Sequence, residues 1–237
     1  MTALVRGELI KAVTTRTILG YAAIAVALSI IWVLVATLSA DVVGVADKRG
    51  VIAGGPIVLL LFGIVGGAGE YRHRTAAPAA LAATDRVRLT IARVNAYGIS
   101  ALAIGLVTVT VTLAIGVPLV SGEPGPGLEA VDITVIAAGT LAAAALSAMM
   151  GVAVGTLLRN QVAGVVGALI LAFVVQPLIP QIDRTVGDFT PIGAGLAAAG
   201  NGDAATLAPG WATLVLAGWT MAFAVGAALV ERRRDVA

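Results

Sequence analysis

The sequence predicts an all-α integral membrane protein with six transmembrane helices, both termini on the cytoplasmic side, and an amphipathic interfacial helix ahead of the first span. Three observations predict it. The 237 residues are 59% hydrophobic and 12% charged, with a mean hydropathy of +1.02, whereas soluble domains carry about 25% charged residues. Six apolar runs are long enough to cross a hydrocarbon core of about 30 Å at 1.5 Å per residue. The bases are unevenly placed: with the N-terminus inside, 12 of the 15 Lys and Arg fall on cytoplasmic segments, the side on which short basic loops are retained. These bases flank apolar spans, so the partner they suit is the bilayer and no nucleic-acid partner is expected.

Residues 1–16 (MTALVRGELIKAVTTR) carry Val5, Leu9 and Val13 at four-residue spacing, with Arg6, Glu8, Lys11 and Arg16 on other faces. That pattern suits a helix lying among headgroups; the alternative is a solvated tail. Residues 17–39 are uncharged and form the first span, longer than the 7–15 apolar residues of a cleaved signal. Residues 41–50 read as a short polar connection and 51–68 as the second span, with Pro56 near its start, where proline is tolerated.

Residues 69–94 are the strongly charged block, including GEYRHRTAAPAALAATDRVRLTIAR. Five arginines (72, 74, 86, 88 and 93), the sole histidine His73, and the acids Glu70 and Asp85 lie between two apolar runs. This loop orients the chain. The third span is 95–120. The loop that follows (GEPGPGLEAVD) has three acids, two prolines and no base, so it is external. The fourth and fifth spans, 133–158 and 161–179, are separated by Arg159 and Asn160 alone, which makes them antiparallel neighbours. A long external segment at 181–210 precedes the sixth span, 211–230. The external bases are then Lys48, Arg49 and Arg184.

No span carries an acid or base near its middle, which argues against a proton-coupled carrier or pump. The sole histidine is in the basic loop, so no Ser–His pair assembles at membrane depth. HExxH, paired intramembrane carboxylates and metal-ligand spacings are missing from the sequence. So is the phosphate-cradling GxxxxGK[ST] loop. Zero cysteines exclude disulfides and thiolate sites. No catalytic residue and no bound metal are expected.

The small residues Gly63 and Gly67, and Ser147, Gly151 and Gly155, form ladders at four-residue spacing that predict close helix packing. Thr108, Thr110 and Thr112 wrap around their helix rather than sharing a face. The simpler reading is that they bond back to their own backbone. The other is that polar residues such as Ser29, Trp32, Thr108, Thr112 and Gln176 line a path.

The sequence Glu70-Tyr71-Arg72-His73, with Thr75 just beyond and Asp85-Arg86-Val87-Arg88 through Ala92-Arg93 entering the third span, resembles the permease subunits of type-2 ABC exporters. The stretch GELIKAVTTR resembles the interfacial helix of that family, and the Trp-bearing last span ending in Arg233-Arg234-Asp235-Val236 is also similar. Arg74 stands where the family has glycine, and Pro78 interrupts the following short helix. The resemblance covers essentially the full length but rests on three short patches.

It implies a bacterial, multi-pass plasma-membrane subunit that dimerises with a second permease, identical or not, to form a translocation path. Two separate ATPase subunits would bind ATP and Mg and drive export of an amphipathic or apolar compound such as a drug, lipid or peptide. Residues 69–94 would be the coupling loop. Glu70, Tyr71, Arg72, His73, Arg74, Thr75, Asp85, Arg86 and Arg88 would meet the ATPase, assisted by the N-terminal helix with Arg6, Glu8, Lys11 and Arg16. In the family, the segment before the last span often forms short re-entrant helices, as 191–210 could here. Two other classes are compatible with the residues: a non-transporting membrane scaffold or immunity subunit, and an ATP-independent carrier.

Overall fold

Length decides how each apolar run is used. The computed structural model describes residues 2–39, 42–72, 85–201 and 207–233, and among these there is no strand. Among the described residues ten helices follow one another: α1 (Thr2–Thr14), α2 (Arg16–Ser39), α3 (Val45–Ile52), α4 (Ile57–Arg72), α5 (Arg86–Ser121), α6 (Ala130–Leu158), α7 (Gln161–Ile182), α8 (Arg184–Phe189), α9 (Pro191–Ala199) and α10 (Pro209–Arg233). Six stretches are long and apolar enough to cross a membrane: α2, α3 with α4, α5, α6, α7 and α10. The protein is a helical, multi-pass membrane protein.

Helix α6 is the hub, packing against α4, α5, α9 and α10. The contact between α4 and α6 is the most extensive in the molecule, and glycine makes it possible. A Cβ on Gly63 would overlap the carbonyl oxygen of Ala148, and one on Gly67 that of Val152. Reciprocally, a Cβ on Gly151 would overlap the Leu60 carbonyl, and one on Gly155 that of Ile64. The two ladders face each other, backbone on backbone. Lipid gives no hydrophobic drive for helices to associate, so the attraction comes from this close dispersion contact. Ser147, on the same helix, is buried against α9 instead.

Several bounds differ from the sequence reading. The second span is not one helix from 51 to 68. Residues 41–50, read as a polar connection, contribute the start of α3, and the chain breaks at 53–56 before α4 begins. Helix α4 alone rises about 24 Å, short of a core of about 30 Å, so α3 supplies the remaining height. Pro56 marks the break, its carbonyl accepting from Leu59 and Leu60 as α4 starts.

The third span extends far beyond 95–120. At about 54 Å, α5 projects past any bilayer core. Asp85 sets its start, accepting from the amides of Val87 (2.9 Å) and Arg88 (3.2 Å) as an N-cap. The charged loop is therefore shorter than 69–94: Gly69–Arg72 belong to α4, and residues 86–94 to α5.

The segment 181–210 carries α8 and α9. Thr190 caps α9, accepting from the Gly193 amide (3.0 Å), with Pro191 in the first turn. Gly200, at φ +96°, closes it: Gly200 N–H donates to Ala197 and Asn201 N–H to Leu196. Helix α9 is buried along most of its length between α6 and α10. Helix α7 contains a π turn at Leu171–Val175. It lies just before Pro177, which has no N–H to give the preceding turn.

Two regions of charge separate to opposite ends of the bundle. At one end Lys48 is fully buried and donates to the Glu123 carbonyl (3.2 Å), while Arg49 pairs with Asp132. These two bases, read from the sequence as part of a polar connection, tie α3 to the α5–α6 loop and to the start of α6. The other end gathers most of the arginines.

Candidate functional site

Residues Glu70, Tyr71 and Arg72 form the last turn of α4 at the basic end. Successive helix residues project about 100° apart, so three in a row reach three different neighbours.

Glu70 faces α1 and α5. Its carboxylate accepts from Lys11 Nζ at 2.7 Å and from the Arg93 guanidinium. Glu8 completes the group, 2.6 Å from Lys11 and 3.3 Å from Arg93 Nε. Among the described residues two acids and two bases make up this network, with Glu8 and Arg93 both buried. Burial lowers the affinity of the Lys11 amine for its proton, but the neighbouring Glu70 and Glu8 outweigh it and hold the pKa above the usual 10.5. Removing one member of such a group leaves an uncompensated buried charge, which costs about 3–5 kcal/mol.

Tyr71 faces the other way. Its hydroxyl donates to Glu231 of α10 at 2.7 Å, and the same carboxylate oxygen accepts from Arg159 Nη2 at 2.7 Å. The Arg159 guanidinium lies 4.9 Å from the centroid of the Tyr71 ring, within cation–π range. Arg159 occupies the α6–α7 turn with φ 52° and ψ 12°, a left-handed conformation that usually falls to glycine. Arginine is held there because its side chain makes contacts glycine lacks. Arg72, more exposed, donates to Gln161 at the start of α7 (3.2 Å). One turn of α4 thus binds α1, α5, the α6–α7 turn, α7 and α10 together.

The residues expected to meet a partner fall into four groups. Glu70, Tyr71 and Arg72 hold the bundle, as do Glu8 and Lys11. Asp85 caps α5 and pairs with Arg88 at 3.2 Å on an exposed surface, with Arg86 in the same first turn. Arg6 and Arg16 are exposed. His73, Arg74 and Thr75 lie outside the described residues. On helix α1, Glu8 and Ala12 are buried, while Ile10 and Val13 are exposed; Glu8 reaches Arg93 on α5.

Arg93, Arg159 and Glu231 were not among the candidate site residues of the sequence. The two arginines read as topology-setting bases, and 85 and 72 residues separate the pairs Glu8–Arg93 and Arg159–Glu231. No local spacing reveals such pairs.

Of the residues considered for a path, Thr108 and Thr112 donate to the carbonyls of Ile104 and Val109, and Thr110 to that of Leu106. Gln176 is buried with its amide occupied by the Gly187 carbonyl and the Thr190 hydroxyl. Trp32 donates to the Gly50 carbonyl at 3.1 Å, joining α2 to α3. Ser29 is buried beside Gly54. Among the described residues no cluster of His, Cys, Asp or Glu is arranged to hold a metal ion. Compared with models of known protein families and with curated proteins, the chain matches none.

Proposed function

We propose that this chain is the membrane-spanning subunit of an ATP-driven exporter, paired with a second permease subunit and powered by separate ATPase subunits on the cytoplasmic side. The observation that carries the reading is the clamp at Glu70-Tyr71-Arg72. These are residues of the type-2 ABC permease resemblance, and they lead directly into the 73–84 segment. A push delivered through that segment reaches the last turn of α4, and from there α1, α5, the α6–α7 turn, α7 and α10.

The chemistry suits transmission rather than catalysis. Ion pairs and a half-buried, hydrogen-bonded tyrosine make a stiff junction, and the glycine-packed α4–α6 pair carries its motion as one body along the bundle. The basic end faces the cytoplasm on the distribution of Lys and Arg. ATP and Mg are then held by the partner ATPases, and this chain supplies no nucleotide site. The exposed apolar surfaces of α2, α7 and α10 are available to lipid and to the second permease subunit.

Purification of the tagged chain from its host membrane in mild detergent, followed by mass spectrometry, tests the reading. The expected result is a soluble Walker-motif ATPase recovered near one-to-one. Recovery of the folded chain alone, at saturating yield, refutes it.

A further inference from the structure

Helices that reach the basic end turn their acids inward and their arginines outward. Glu8 of α1, Glu70 of α4 and Glu231 of α10 are spent on Lys11, Arg93 and Arg159 inside the junction. Arg6 of α1, Arg16 at the head of α2, Arg72 of α4, and Arg232 and Arg233 of α10 are exposed. Asp85 is 43% exposed, but Arg88 pairs with it. Arg6 and Arg16 have no acidic partner among the described residues.

Helix α1 shows what surroundings suit these arginines. Successive residues project about 100° apart, so Arg6, Ile10 and Val13 share one side of α1, roughly opposite the buried Glu8 and Ala12. That outer side is open, with Ile10 51% and Val13 52% exposed. It runs between two unlike flanks. Val5 and Leu9 form an apolar, half-buried flank, and Gly7, Lys11 and Thr14 an exposed polar one. Such a change from apolar to polar around an open helix face suits a bilayer boundary. Two markers give its level. Thr15 alone separates α1 from α2, and no charge follows Arg16 through residue 39. Arg93, which holds Glu8, is likewise the last charge of α5, with none from 94 through 122. Helix α1 is therefore level with the start of the uncharged spans.

We propose that the outer face of α1, with Arg6 and Arg16 as its charges and Ile10 and Val13 as its apolar contacts, is a docking surface for anionic phospholipid. The guanidiniums meet the charged headgroup, whose phosphate oxygens accept from their forked N–H donors. Acyl chains cover Ile10, Val13 and Leu19, the last 71% exposed in the first turn of α2. An acidic protein surface matches the charges but not the aliphatic side chains beside them. Because α1 holds α4 through Lys11 and α5 through Glu8, lipid seated on its outer face braces the junction from the membrane side. The proposal goes beyond the exporter reading and stands without it.

The test uses the full chain in phosphatidylcholine nanodiscs, with a bimane fluorophore on Gly7→Cys, an open position beside Arg6. Phosphatidylglycerol or phosphatidylcholine carrying a nitroxide high on an acyl chain is titrated in as quencher. Half-quenching is expected at a mole fraction at least about fivefold lower for phosphatidylglycerol, since each base near an anionic surface contributes about that factor. The preference is expected to weaken as salt rises. Arg6→Gln with Arg16→Gln is expected to abolish it, whereas Arg6→Lys with Arg16→Lys retains most of it, which separates lost charge from lost fold. Arg232→Gln with Arg233→Gln, the same charge change on α10, is expected to leave it in place. Equal quenching by the two lipids in the parent overturns the proposal and leaves the face to an acidic protein. So does a preference that survives the double glutamine change on α1 and α2, or one that the α10 variant or the lysine variant loses as completely.

Discussion

Replacing Glu70 by Gln removes one charge from the four-residue network while nearly keeping the side chain's volume. Two contacts among the described residues weaken. The Lys11 side is about half exposed, so screening limits its share to at most about 1 kcal/mol. The Arg93 side is different, because the Arg93 side chain is 5% exposed and cannot recover water. Glu8 remains 3.3 Å away and keeps part of the compensation. The loss therefore falls near the low end of a broken buried pair, about 3 kcal/mol. A double-mutant cycle of Glu70→Gln and Arg93→Met, read as unfolding free energy in bicelles, isolates the pair. The double variant is expected to lose at least about 1.5 kcal/mol less than the two single losses combined. Arg88→Met, whose partner Asp85 is exposed, is expected to cost no more than about 0.5 kcal/mol. Losses at Glu70 and Arg93 that add within about 0.5 kcal/mol would refute the argument that these residues act as one junction.

Gly63→Ala forces a methyl group into the Ala148 carbonyl and is expected to cost at least about 1–3 kcal/mol through separation of α4 and α6. Gly167→Ala, with nothing near its Cβ position, is expected to be neutral or stabilising; monodisperse yield after solubilisation separates the two, and equal yields would contradict the packing account. The raised pKa of Lys11 sets a pH window: a raised value means its contribution is complete below about 10.5 and is lost as pH rises through the folded value. Since the chain has no cysteine, spin labels introduced at Gly7 and Gly69, both in open surroundings, can follow the α1–α4 distance. It is expected to stay constant between about pH 6 and 9 and to broaden above about 10.5, a step that Lys11→Met should remove. Broadening already at neutral pH would show that the lysine does not hold α1 in place.

The helical class and the six membrane-length stretches were legible because hydropathy and length are one-dimensional properties. So was the stop between α6 and α7, where two residues at 159 and 160 leave room only for a tight turn. Asp85 was visible as a charge but not as the cap that shortens the basic loop, because capping depends on where the preceding chain turns. The break at 53–56 was hidden for a related reason: Gly54, Gly55 and Pro56 sit inside an apolar run that reads as continuous until α9 packs against it.

Sequence by itself determined that this chain spans a membrane as a helical bundle, that its bases gather on one set of segments, and that small residues recur every four positions on two spans. Only the tertiary structure decided what those features meet. Ladders at Gly63–Gly67 and Gly151–Gly155 became mutual because α4 and α6 run side by side, and Arg93, Arg159 and Glu231 became a junction because distant helix ends converge on Glu70-Tyr71-Arg72. The physical reason is range. Burial and helical period are written into neighbours along the chain, whereas pairing a charge depends on residues that folding alone brings within about 3 Å.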